Sequence, residues 1–165
     1  MPWILIGAAI VGGLLLLAGG SASGAAGGTP RGPRRVAALG DSLTADGRYL
    51  NTILAALPPG SAVKNFGYGG QGTRVIASHL TEALSWRPTD VIVLAGVNDL
   101  ASRRSLKHII DNLAWMYEEI RRAGVRVGPV KVVPWGRRST HNAEGTAAVN
   151  SWIGAVPGAV ETNSL

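Results

Sequence analysis

The chain contains no cysteine. A disulfide framework, a thiol nucleophile and cysteine-ligated zinc are therefore excluded, while the compartment is left open. No charged side chain precedes Arg31, and no acidic residue precedes Asp41. There is no internal repeat. The three histidines, His79, His108 and His141, fall at no metal-ligand spacing. Neither a metal nor a cofactor is expected. A nucleic-acid partner is not expected either, although the formal charge is +6. Three of the basic residues, Arg31, Arg34 and Arg35, sit beside the apolar N-terminus. From Val36 onward 13 basic residues face 10 acidic ones, without the dense basic face and interleaved aromatics that nucleic acid requires. Arg103, Arg104, Lys107, Arg121 and Arg122 read as solvated helix surface.

What is present suffices for one packed domain: 165 residues, 46% hydrophobic and 16% charged. The organisation has three parts. Residues 1–26 form an apolar segment ending in Gly, Ser and Ala, which reads as a signal peptide or membrane anchor. Residues 27–34 are a Gly/Pro/Arg linker, and 35–165 are the folded domain. The small-residue exit favours an exported or membrane-anchored, extracytoplasmic protein, with the membrane contacted through this segment. The arginines that follow the run pull the other way on the positive-inside tendency.

Short apolar runs then alternate with helical patterns. Strands are expected at 35–39, 62–65, 90–95 and 125–133, with a fifth beginning at 159–161. Helices are expected near 49–57, ended by Pro58-Pro59-Gly60, and near 74–85, 103–123 and 142–153. The clearest is 103–123, where Leu106, Ile109, Ile110, Leu113, Met116, Tyr117 and Ile120 recur at helical spacing. Alternating strands and helices predict an α/β fold with a parallel sheet covered on both faces. In such sheets ligands bind beyond the carboxyl ends of the strands.

Three clusters follow the first three strands: Gly40-Asp41-Ser42-Leu43-Thr44, then Asn65 through Thr73 with four glycines, then Gly96-Val97-Asn98-Asp99. A parallel sheet brings all three to one edge. There they offer a hydroxyl, flexible backbone amides and a carboxamide, the set that acyl transfer needs. Each also has a plainer reading, as helix caps for Asp41, Ser42, Thr44 and Asn98-Asp99, and as an ordinary loop for the glycines.

In order and spacing the clusters resemble the first three conserved blocks of the SGNH/GDSL hydrolases, and Gly40-Asp41-Ser42-Leu43 matches the block that names the family. The resemblance runs from about Arg35 onward and includes Val132-Val133-Pro134-Trp135. It implies a three-layer α/β/α fold with a flavodoxin-like parallel sheet. It also implies a serine ester hydrolase working through an acyl-enzyme on Ser42. The Ser42 amide, the Gly70 amide and Asn98 would form the oxyanion hole. The substrate would be a small-molecule, lipid or carbohydrate ester.

The family's closing Asp-x-x-His block is not found. Residues 156–165 look like the fifth strand and turn that precede it, so the domain is expected to be incomplete at its C-terminus. His141, in a loop on the correct edge, is the substitute base. His79 reads as helix surface or partly packed, and His108 as facing away from the strand ends. The alternative is a membrane-tethered, non-catalytic module that keeps the cleft but lacks the catalytic Asp and His.

Overall fold

The computed structural model describes residues 32–133 and 140–159, without the side chains of residues 140–142. The apolar segment 1–26, most of the linker and the fifth-strand expectation beyond Ala159 lie outside the described residues. The elements run β1 (Arg35–Gly40), α1 (Ser42–Asp46), α2 (Arg48–Ala56), β2 (Ala62–Gly67), α3 (Thr73–Ser78), α4 (Leu80–Ser85), β3 (Asp90–Leu94), α5 (Val97–Ala101), α6 (Leu106–Arg122), β4 (Arg126–Pro129) and α7 (Thr140–Gly154).

The four strands are parallel, in the order β2-β1-β3-β4. This is the flavodoxin-like order, whose switch point lies between β1 and β3. Successive side chains of a strand leave opposite faces, and β1 shows the consequence. Ala37 and Leu39 join the larger core with Ile76, Leu80, Leu113, Met116 and Val149, beneath α3, α4, α6 and α7. Val36 and Ala38 join Tyr49, Leu50 and Ile53 of α2 on the other face. The result is three layers, α/β/α. All five residues of β3 are buried, as expected of a strand covered on both sides.

Several boundaries differ from the sequence expectation. The helix expected at 74–85 is broken at His79, which leaves helical geometry at φ −93° and ψ 1°. The one expected at 103–123 starts at Leu106. Arg103 turns back with φ 56°, the Arg104 amide bonds the Asp99 carbonyl at 2.9 Å, and Ser105 caps α6 by accepting from the His108 amide. Strand β4 is shorter than 125–133. Beyond Pro129, Val130 still bonds the neighbouring strand, at Val93. The helices α1 and α5, five residues each, have no counterpart in the sequence pattern.

At the amino edge of the sheet, Asp90 is fully buried and is held by two arginines. Arg34 grips it through Nη2 and through Nε at 3.0 Å, and Arg126 through Nε at 2.8 Å and Nη2 at 3.1 Å. The Thr89 hydroxyl donates to Oδ2 at 2.6 Å. Burial opposes the charged form of Asp90, but these donors outweigh it and hold its carboxyl below the usual range. Removing one partner of a buried pair leaves the other charged and unmatched. Asp90→Ala is therefore expected to lose about 3 kcal/mol of unfolding free energy in urea titrations. Arg126→Ala should lose less, because Arg126 is about one-third exposed. With a lowered folded-state pKa, the contribution of Asp90 is present above the unfolded carboxyl pKa and is lost as pH falls from there through the folded-state value.

Candidate active site

The site is built where β1, β2 and β3 end. Gly40 closes β1, and an added Cβ there would collide with the Thr44 hydroxyl and approach the Leu94 carbonyl at 2.5 Å. Gly67 closes β2, where a Cβ would run into the backbone of Ala45. Helix α1 therefore lies directly against the neighbouring strand exit. Asn65 ties the two together, accepting from the Gly67 amide at 2.8 Å and donating to the Ala45 carbonyl at 3.3 Å. Two backbone bonds lace the exits further, from the Tyr68 amide to the Gly40 carbonyl at 2.8 Å and from the Asp41 amide to the Leu94 carbonyl at 3.3 Å.

Asp41 caps α1 by accepting from the Leu43 amide at 3.0 Å, the plainer of its two sequence readings. It is buried, and burial together with the nearby Asp99 carboxylate pushes its pKa up to about 6, against the pull of the Leu43 bond. Ser42 is the first residue of α1 and is exposed. Thr44, behind it, is buried with its hydroxyl 2.9 Å from the Tyr49 hydroxyl.

The glycine loop crosses from β2 to α3. Gly70 takes the left-handed conformation, φ 72°, and Gly72 packs so closely on Asp99 that a Cβ would come within 2.8 Å of Oδ1. From the third exit, Asn98 Nδ2 donates to the Gln71 carbonyl at 2.9 Å. Asp99 accepts from the Thr73 amide at 2.7 Å and the Thr73 hydroxyl at 3.2 Å. The chain of bonds continues to α6, where Asn112 Nδ2 donates to the Thr73 hydroxyl at 2.9 Å. His108 Nε2 stands 3.2 Å from Asn112 Nδ2 and 3.6 Å from Asp99 Oδ1.

Gly70 and Asn98 thus share the wall of one cavity of about 540 Å³, together with Asp99, Arg74, Arg104 and His108. Ser42 stands at the adjacent strand exit and is not among the residues lining this cavity. His141 falls in the first turn of α7, not in a loop, and its side chain lies outside the described residues. His79 is half-buried at the break between α3 and α4, its ring stacked on Tyr68 at 3.7 Å between centroids.

His108 departs from expectation, since it lines the cavity. A helix that follows the carboxyl end of a strand begins at that edge of the sheet, so the first turn of α6 overlooks the site. Its partner Asn112 lies four residues on, along the same face. That spacing was visible in the sequence and is the signal that could have found it. Arg104, read as helix surface, lies instead in the turn before α6 and reaches the cavity. Asn98 and Asp99 do not cap the long helix but lie within α5.

The raised pKa of Asp41 carries a stability consequence. A carboxyl near 6 in the fold and near 3.8 unfolded resists ionisation, so stability falls as pH rises between those values. Asparagine caps as well as aspartate. Asp41→Asn is expected to be more stable than the parent at pH 7, by on the order of 2 kcal/mol. The difference should vanish by pH 4, as read from paired urea melts.

The family described as GDSL-like Lipase/Acylhydrolase matches residues 38–161. No curated protein matches the chain. Among solved structures, the chain is similar to AlinE4, an SGNH-hydrolase family esterase, at 21% identity and TM-score 0.62, covering 73% of this chain and 70% of that one. It is similar to a GDSL-like lipase from Bacteroides thetaiotaomicron at 21% identity and TM-score 0.62, covering 74% of this chain and 62% of that one. It is also similar to TesA at 20% identity and TM-score 0.62, covering 74% and 73%. At such identities these structures speak for the fold.

Proposed function

The chain belongs to the GDSL-like lipase/acylhydrolase family, and from that premise we propose that it is a serine ester hydrolase with Ser42 as its nucleophile. Ser42 Oγ attacks the acyl carbonyl carbon, and the carbonyl electrons move onto oxygen. The tetrahedral intermediate expels the alcohol and leaves an acyl-enzyme, which water then hydrolyses. The Ser42 amide, the Gly70 amide and the Asn98 side chain donate to the oxyanion. The Ser42 proton needs an imidazole acceptor. His141, at the head of the helix that follows the carboxyl end of β4, is the residue we assign to it.

One observation carries this reading. The bond from Asn98 Nδ2 to the Gln71 carbonyl holds the carboxamide beside the glycine loop. A carboxamide nitrogen has two hydrogens. The first fixes the side chain, and the second is available to an acyl oxygen, so the donor is oriented before substrate arrives. The exposure of Ser42 and the close packing at Gly40 and Gly67 support the same reading, since Ser42 follows the strand that lies between the two others.

The test is covalent labelling. A fluorophosphonate should modify the protein once, and Ser42→Ala should abolish both labelling and p-nitrophenyl acetate turnover. Asn98→Ala should keep the label but lower kcat by about 10²–10³-fold, the usual cost of one oxyanion donor. If Ser42 stays unlabelled and nothing is hydrolysed, the hydrolase reading fails. The membrane-tethered, non-catalytic module then takes its place.

A further inference from the structure

We propose that the cavity beside Asn98 is an anion subsite, in which Arg74 and Arg104 hold a carboxylate or phosphate group carried by the ester. The proposal rests on the hydrolase reading for what the subsite serves, but its own support is separate. The cavity is polar: Val75 is the one aliphatic side chain among the described residues lining it, and Gln71 and Ser102 add an amide and a hydroxyl. Walls of this kind do not match a long acyl chain, which needs a continuous apolar surface.

Its charged lining is two arginines against one carboxylate. Arg74 and Arg104 both line it, and both are exposed. The carboxylate in the wall, Asp99, already accepts from the Thr73 amide and hydroxyl, and its Oδ1 lies 3.6 Å from His108. It stands as one buried acidic group against two exposed arginines, so the wall keeps a net positive charge. Arginine presents a planar fork suited to carboxylate or phosphate. Arg74 comes from the first turn of α3, which Asp99 fixes through Thr73. Arg104 comes from the tight turn fixed by its own amide on the Asp99 carbonyl at 2.9 Å. One buried residue thus sets the backbone of both arginines, Asp99 acting through its carboxylate on the side of Arg74 and through its main-chain carbonyl at Arg104. Because Gly70 and Asn98 share the wall, a charge held here lies next to the proposed oxyanion donors.

The experiment compares kcat/KM for two charged esters and their neutral counterparts. The first, 4-nitrophenyl hemisuccinate, carries its charge on the acyl side and is paired with 4-nitrophenyl butyrate. The second, 3-acetoxybenzoate, carries it on the alcohol side and is paired with phenyl acetate. At low salt, at least one charged ester is expected to be preferred about tenfold. The ratio should fall towards one in Arg74→Gln/Arg104→Gln, recover in part in Arg74→Lys/Arg104→Lys, and shrink at high salt, where exposed charges are screened. Reading a ratio cancels any general loss of activity. Turnover that ignores charge in both pairs overturns the subsite and leaves the hydrolase standing. If the parent protein hydrolyses nothing, succinamate binding by calorimetry decides. Binding lost in the double glutamine variant keeps the subsite without the hydrolase, and no binding removes it.

Discussion

A carboxylate cannot be buried unless its oxygens are met by donors. Asp99 is 4% exposed, and Thr73 supplies two of the donors, one from its backbone and one from its side chain. The join between the glycine loop and the third strand exit follows from this requirement. The amide that satisfies Asp99 begins α3, so the third strand exit and the end of the glycine loop are fixed to one another. Gly72 must be glycine because the carboxylate occupies the space that a Cβ would fill. Asn98, one residue earlier, is delivered to the Gln71 carbonyl. The next helix is tied in through Asn112 on the Thr73 hydroxyl.

A buried carboxyl group sits at each end of the sheet, and the two act in opposite senses. At the amino edge Asp90 is surrounded by donors, and its charge is favoured in spite of burial. At the carboxyl edge Asp41 has one backbone donor and a neighbouring carboxylate, and its charge is resisted. The first arrangement contributes to the fold at neutral pH, and the second opposes it. Asp41 is costly to keep charged near a proposed reaction centre, and it is part of the family's naming motif.

Much of the architecture was legible because it depends on local pattern. The run Val91 to Leu94 reads as a strand covered on both faces and is one. Ile109, Leu113, Met116 and Ile120 mark the buried stripe of α6, and all are fully covered. Boundaries were less visible where a tertiary contact decides them. The break at His79 goes with a ring stacked on Tyr68, and the late start of α6 goes with an amide of Arg104 bonded to Asp99. Helices of five residues are too short to show a period. At the site, Ser42, Gly70 and Asn98 could be named from the family motifs. Asp99 looked like a cap, since nothing local reports a partner 26 residues away. His108 and Arg104 looked like helix surface because their surroundings come from a distant loop.

The contact of α1 with the end of β2 has a practical side for anyone who wishes to diversify this protein. Positions 40 and 67 accept only hydrogen as a side chain, for steric reasons that no choice of substrate alters. Gly69 and Gly70 have open space around them, and Gly69 is not restricted by a left-handed backbone. A combinatorial library that varies the loop at 69 and 71, and leaves the two closely packed glycines alone, would spend its diversity on folded variants.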